Sequence, residues 1–367
     1  MRYIVSTCGT SLLTNAGRAT EGLNALISRY ANVQRPEDVP PEDRAKLQML
    51  LDAIRDQVGI TTEVTALRKL SAEINGITRL YTHGLPTGDD IHFLLSTDTW
   101  LGKETATAVA RWLQRYGQTA EVVSIPDLRT EDLSTFQSGM AELINWCASN
   151  LSPLRGTAHP VIFQLAGGFK SVQGFMQTLA HFYADETVYI FESGEELLRI
   201  PRLPLRMDLE DLVEGNYSVL ARLADKLPVA AAEVTALPET LVWIDDGKAA
   251  FTVWGDLVWD QLGKPLFRTR LRDTPSAKLR YGPGFAASVQ GLPADRLELV
   301  NVRLGDLGRF LEYGQNPKRL DFKALSANPR PPFTHECDAW ADRDAKRLFG
   351  HYKGDIFVLD ALDNALH

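Results

Sequence analysis

Short apolar runs alternate with amphipathic helical segments from residue 1 to about residue 205, and this rhythm limits the possible folds more than any other feature. "RYIVST", "FLLSTDT" from Phe93, "AEVVSIPDL", "HPVIFQLAGGFKS" and "ETVYIFESGEEL" read as strands, the last two running into turns. Between them "KETATAVARWLQRYG", led in by Gly102, "STFQSGMAELINWCASNL", with Ser134 as its expected N-cap, and "VQGFMQTLAHFYA" read as helices. Strands alternating with helices build a parallel, doubly wound sheet. Residues 31–75 interrupt the rhythm. There "NVQRPEDVPPEDRA" is a Pro-rich, acidic loop entering a helix, so the stretch reads as an insertion ahead of a strand-like segment near Leu80.

The pattern changes from about residue 206. "DLEDLVEGNYSVLARLADKL" is helical, "ETLVWIDDGKAAFTVWG" is a hairpin turning at Asp-Asp-Gly, and "DLVWDQLG" is a helix expected to end at its glycine. Helices plus a small hairpin over 206–279 resemble a winged helix-turn-helix. Few basic residues lie on the elements that would read DNA, so the segment reads as a linker domain. From 280 to 367 the order is strand, helices, then strands: "KLRYGPGF", the helical "PADRLELVNVRLGDLGRFLEYG", and "HECDAW", "KRLFGHY" and "DIFVLDAL", with a turn at Lys353-Gly354-Asp355. This is a small α+β domain on an antiparallel meander.

The 367 residues, 44% hydrophobic and 23% charged, suit a globular protein of two or three domains. No apolar run reaches the roughly 18 residues a membrane span needs, and the N-terminus lacks the charge and apolar pattern of a signal peptide, so a cytoplasmic protein is expected. Cys8, Cys147 and Cys337 are too scattered for a disulfide framework or a metal cluster. The net charge is −8. Residues 280–367 hold twelve Lys+Arg and twelve Asp+Glu, so the whole deficit lies in residues 1–279. Such a chain captures naked RNA or DNA poorly, because nonspecific affinity comes from phosphate neutralisation.

Three strands end in loops of small and polar residues. The first loop holds Gly9, Thr10 and Ser11, the second Thr97 and Asp98, the third Gly167, Gly168 and Lys170. None has the Gly-x-Gly-x-x-Gly or the Gly-x-x-x-x-Gly-Lys-Ser/Thr spacing of the common phosphate loops. Glycines allow close backbone approach, helix N-termini attract anions, and Lys170 adds a full charge, which together suits a ligand with several phosphates.

"STCGTSLLTN" with the later "LAGGFKS" resembles the CARF family, the CRISPR-associated Rossmann-fold sensors, over residues 1–205. The resemblance implies a Rossmann-like sensor domain and a homodimer that binds a ring of linked adenylates, most simply cyclic tetra-adenylate, across its two-fold axis. Thr10 and Ser11 would then contact phosphate or ribose, and the Gly168–Lys170 turn would hold the other side of the ring. Cyclic oligoadenylate is expected as activating ligand, with no cofactor and no metal.

The output domain is not a HEPN ribonuclease, whose helix carries Arg, four to six residues, then His. Arg347 to His351 leaves three residues, Arg343 to His351 leaves seven, and the segment reads as a strand. The element order and the ending "KALSANPRPPFTHECDAW…KRLFGHYKGDIFVLDAL" resemble the RelE-type mRNA interferases over residues 280–367. Sensor, winged-helix-like middle and RelE-like tail together look like the CARF–RelE CRISPR-associated mRNA interferases. The resemblance implies a type III CRISPR accessory effector, a metal-independent endoribonuclease that cuts mRNA in the ribosomal A site, with docking at the ribosomal stalk. Metal-free cleavage needs a base for the 2′-hydroxyl, cations for the phosphorane and an acid for the leaving oxygen. His335 would be base or acid, and Arg347 would bind the scissile phosphate near it. Lys346 and Lys323 complete the expected catalytic set, with Lys318, Arg319, His351 and Lys353 behind them. Cys337 stands where some relatives carry a lysine. The other functions compatible with the sequence are a ligand-responsive transcription regulator and a ring nuclease.

Overall fold

The computed structural model describes residues 1–18, 20–129, 132–190, 196–205, 207–325 and 331–364. It divides into two compact units, Met1–Arg206 and Met207–His367. The turn expected after "ETVYI" lies outside the described residues.

In the first unit β1 (Tyr3–Cys8) leads into α1 (Ser11–Gly17) and α2 (Leu23–Arg29). The insertion follows as α3 (Pro41–Ile60), α4 (Val64–Leu70) and α5 (Ala72–Arg79). Then come β2 (Ile91–Ser96), α6 (Trp100–Arg115), β3 (Thr119–Ser124), α7 (Leu133–Asn150), β4 (Val161–Gln164), α8 (Lys170–Tyr183), β5 (Glu186–Ile190) and β6 (Leu197–Pro201). The sheet order is β3-β2-β1-β4-β5-β6. β1 to β5 run parallel and β6 closes the edge antiparallel. A mixed α/β unit with a parallel sheet and the Rossmann-like strand order is what the alternation implies. Buried on both faces, the strands read as apolar runs, as in Val161-Ile162-Phe163. On α3, Leu47, Leu51, Ile54 and Val58 recur at helical spacing and pack into one core with Ala108 and Trp112 of α6.

Two local expectations are corrected here. The segment near Leu80 is not a strand: Leu80 is the C-cap of α5. The Ser71 hydroxyl accepts the Ile74 N–H at 3.0 Å, and Ile74 and Ile77 are buried one helical turn apart, so cap and periodicity both favour a helix. Helix α7 is capped by Asp132, not Ser134. The Asp132 carboxylate accepts the Thr135 N–H at 2.9 Å, and Ser134 donates its hydroxyl to the same carboxylate.

The second unit begins with α9 (Glu210–Gly215) and α10 (Tyr217–Ala224). Its hairpin pairs β7 (Val242–Asp245) with β8 (Lys248–Phe251) through a two-residue turn, Asp246 and Gly247 both at positive φ, the twist such turns require. Helix α11 (Val253–Val258) does not end at Gly263. The chain continues through a wide turn, Trp259–Gly263, into a 3₁₀ turn, Lys264–Arg268, and Gly263 has φ −81°. A Cβ there would lie 2.0 Å from the Trp259 ring, so this glycine serves packing rather than termination.

Next come β9 (Leu279–Tyr281), α12 (Phe285–Ser288), α13 (Ala294–Tyr313), β10 (Lys323–Ala324), β11 (His335–Trp340), β12 (Lys346–Lys353) and β13 (Ile356–Asn364). The sheet order is β10-β11-β12-β13-β9; neighbours are antiparallel except β9, which lies parallel to β13. Val300, Leu304 and Leu307 of α13 pack on one sheet face with Cys337, Leu348, Phe357 and Leu359. Strand alternation turns Glu336, Asp338, Arg347, His351 and Asp360 to the other, open face. An ion network ties α10 to α13: buried Asp306 binds Arg303, Arg309 and Arg319, while Asp225 binds Arg272 at 2.6 Å and Arg309 at 3.3 Å.

Candidate functional site

In a sheet of this order ligands seat beyond the carboxyl ends of the strands, where the order reverses between β1 and β4. The loops that follow these two strands touch there. A Cβ at Gly9 would lie 3.0 Å from Cα of Gly168. Gly168 has φ +92°, and a Cβ there would press on Thr7 at 3.0 Å, so both loops exclude larger residues. The Thr7 hydroxyl donates to the Gly167 carbonyl at 2.5 Å, and Gln173 of α8 donates to the same carbonyl at 2.8 Å. On the β2 side, Thr105 of α6 donates its hydroxyl toward the Gly9 carbonyl at 2.9 Å.

The residue that organises this crown is one that motif reading missed. Glu73 of α5 is 1% exposed. One of its oxygens accepts the Gly9 N–H at 2.9 Å and the other accepts the Ser11 hydroxyl. Ser11 in turn accepts the Ala72 N–H at 3.0 Å. A Cβ at Gly167 would strike the same carboxylate. Glu73 thus pins the loop after β1 against the loop after β4, and it already uses two donors that a phosphate would otherwise be offered. The signal in the sequence is only an acidic residue on an insertion helix, 62 positions from Ser11.

The remaining first-unit residues fall into two groups. Thr97 is 4% exposed and shares a hydrogen bond with Thr99, whose hydroxyl caps α6 by accepting the Gly102 N–H. Asp98 binds Lys103 at 2.7 Å and Gln34 at 2.6 Å. Its burial raises its pKa, but these partners outweigh that and hold it below the usual carboxylate range. Both therefore support the second loop. Thr10 and Lys170 face outward: Thr10 makes no side-chain cap bond, and Lys170, exposed at the start of α8, meets no carboxylate among the described residues. Cys8 is buried and its thiol is pushed well up, chiefly by desolvation, so it is no nucleophile.

In the second unit the four residues expected to act together are divided. His335 pairs in register with Gly350, and Arg347 with Asp338. Three positions apart on β11, His335 and Asp338 face opposite sides of the sheet, so His335 and Arg347 do too. This corrects the expectation of one shared site. His335 stacks on Phe322 at 5.3 Å and meets Tyr352 edge-on at 5.1 Å, and burial pushes its pKa below the ordinary value. Lys346 shares its face but lies at the far end of β12, about 13 Å from His335's partner Gly350 at 3.3 Å per residue. Arg347 is clamped by Glu336 and lies 3.5 Å from Asp338. Lys323 is on the open face too, opposite Glu336, and pairs with Asp321. Arg319 holds Asp306 with two bonds, 2.7 and 2.8 Å, and belongs to the fold.

The open face holds a further pair. His351 Nδ1 lies 2.7 Å from Asp360 Oδ2, with the two side chains 27% and 12% exposed. A Cβ at Gly282 would lie 2.6 Å from Asp360 Oδ1, so that glycine makes room for the carboxylate.

Residues 68–203 match the model of one family, the CRISPR-associated protein family Cas_APE2256. The matched stretch begins just ahead of Glu73 and contains the loops after β2 and β4, but not the loop after β1. No curated protein matches the chain. No helix among the described residues is long and apolar enough to cross a membrane. The first unit is thus a parallel α/β fold similar, over most of its length, to a family of CRISPR-associated proteins.

Proposed function

We propose that the chain is a type III CRISPR accessory effector in which cyclic oligoadenylate, most simply cyclic tetra-adenylate, binds the crown of the first unit and switches on ribosome-dependent mRNA cleavage by the second. The observation that carries the ligand half is the meeting of Gly9 and Gly168 at the switch point of a sheet whose sequence matches a CRISPR-associated family. The outward Thr10 and Lys170 supply a hydroxyl and a cation for ribose and phosphate. A ring of four adenylates has two-fold symmetry, so two copies of the chain would each hold half. The RelE-like reading of the second unit rests on its element order and on an open sheet face rich in cations. Its modest basicity suits an enzyme whose substrate is presented by the ribosome, with docking at the stalk and positioning in the A site contributing to rate.

The test of the ligand half is calorimetric titration with cyclic tetra-adenylate. The expected stoichiometry is one ring per two chains. Lys170→Ala should weaken binding by about 1.5–3 kcal/mol, the worth of one charge-assisted contact, or roughly 10- to 150-fold. Undiminished affinity in Lys170→Ala would remove this lysine from the site, and absence of binding to the wild-type chain would remove the ligand.

A further inference from the structure

We infer that His351 and Asp360 form the acid–base dyad of the second unit, with Arg280 and Lys353 as the cations that hold the scissile phosphate. This rests on the reading of that unit as an RNA-cleaving domain. The residues picked first from sequence serve the chemistry badly. Arg347 is neutralised by two carboxylates, and His335 is stacked among aromatic rings on the helix-covered face.

The dyad has the geometry they lack. An ionised carboxylate only accepts hydrogen bonds, so the 2.7 Å contact places the proton on Nδ1 and leaves a lone pair on Nε2. His351, Val358 and Arg280 stand in one row across β12, β13 and β9. Leu279 and Phe357 beside them point into the core, so Arg280 and His351 project from the open face, about 10 Å apart at two strand spacings. Lys353 lies two residues along β12 on the same face. Arg280 and Lys353 are exposed, and among the described residues neither has an ion-pair partner. A phosphate between two unpaired cations and an imidazole lone pair is poised for transesterification.

Nε2 takes the proton of a ribose 2′-hydroxyl, and O2′ forms its bond to phosphorus. The P–O5′ bond breaks, and the leaving oxygen takes a proton from water. The hydroxide so formed recovers the proton held on the imidazolium. The products are a 2′,3′-cyclic phosphate and a 5′-hydroxyl. His351 is the catalytic residue, and Asp360 is a positioning residue that fixes its tautomer.

The test uses the full chain, ribosomes carrying mRNA, and cyclic tetra-adenylate. His351→Ala and His351→Gln should each cut roughly 10²- to 10⁴-fold more slowly, the usual worth of a general base, with unchanged thermal stability and ligand affinity. Added imidazole should restore part of the His351→Ala rate. Asp360→Asn should lower kcat roughly tenfold or more while leaving the half-saturating ribosome concentration unchanged. Arg280→Ala and Lys353→Ala should raise that concentration or slow the cut. If the wild-type chain cuts and both His351 variants cut at its rate, the dyad is excluded while the ribonuclease reading stands. Loss of cutting that imidazole does not restore, together with a lowered melting temperature, assigns His351 to the fold and also overturns the dyad. A wild-type chain that never cuts removes the ribonuclease reading itself.

Discussion

Replacing Glu73 with alanine isolates what holds the crown together. The carboxylate is buried and accepts from the Gly9 N–H and the Ser11 hydroxyl. Gly9 is itself buried, so its N–H loses its acceptor outright, at about 1–3 kcal/mol. Ser11 is half-buried and can turn toward water, so its loss sits at the low end of the same range. The two together come to about 2–4 kcal/mol. In a unit of this size each kcal/mol lowers Tm by about 2–4 °C, so the first unit should melt roughly 4–16 °C earlier. Glu73→Gln keeps the volume and one carbonyl acceptor, and should lose about 1 kcal/mol as a charge-assisted bond becomes a neutral one. The assay is differential scanning calorimetry, with hydrogen exchange at Gly9 and Gly168 to localise the effect. The alanine variant should expose both loops to exchange and weaken cyclic tetra-adenylate binding. A Glu73→Ala protein that melts within about 2 °C of wild type with both loops still protected would refute the assignment of Glu73 as the pin.

Other consequences follow from specific contacts. Gly168→Ala forces a side chain into positive φ against Thr7 and should destabilise the first unit by about 1–3 kcal/mol, read from its thermal transition. Asp306→Ala leaves three arginines without their shared carboxylate and should destabilise the second unit by about 3–5 kcal/mol, read from its urea midpoint; Asp306→Asn should recover part of this. His92 is fully buried, and desolvation pushes its pKa down to about 4. Because the unfolded chain takes up this proton first, stability should fall as pH drops from about 6.5 toward 4, by up to about 1.4 kcal/mol per pH unit; His92→Gln should flatten that slope in pH-dependent urea unfolding. Arg347→Ala should slow mRNA cutting less than His351→Ala does, since its guanidinium is already held by Glu336 and Asp338; the reverse order in a cleavage time course would return Arg347 to the chemistry.

The parallel sheet was legible because strands buried on both faces leave unbroken apolar runs such as Val161-Ile162-Phe163, and the helices between them keep a clear period. Leu80 misled because its segment is short and apolar, and only the Ser71 cap separates helix from strand. Ser134 and Asp132 are both capping residues two positions apart, and only the hydrogen bond to Thr135 decides between them. Gly263 carries the sign of a helix end, yet what it answers to is the Trp259 ring. The three strand-end loops could be picked out one by one, but Glu73 could not, since nothing local marks an acidic residue whose partners come from another element. The separation of His335 from Arg347 depends on the register between β11 and β12, which residues 341–345 and the bulge between Asp338 and Trp340 set jointly. Alternation along one strand is readable, whereas register between two strands is a tertiary fact.

The central claim is that a ligand bound by the first unit turns on RNA cutting by the second. A ligand shifts such an equilibrium only through its different affinity for the two states. The most direct measurement combines the full chain, ribosomes loaded with a defined mRNA, and cyclic tetra-adenylate, and maps 5′ ends by primer extension over time. The account predicts cuts within the A-site codon that depend on both ribosome and ligand, and that persist in the presence of a metal chelator added after the ribosomes are assembled and fixed on the message. Cutting at the same rate without ligand, or no cutting when ribosome and ligand are both present, would contradict it.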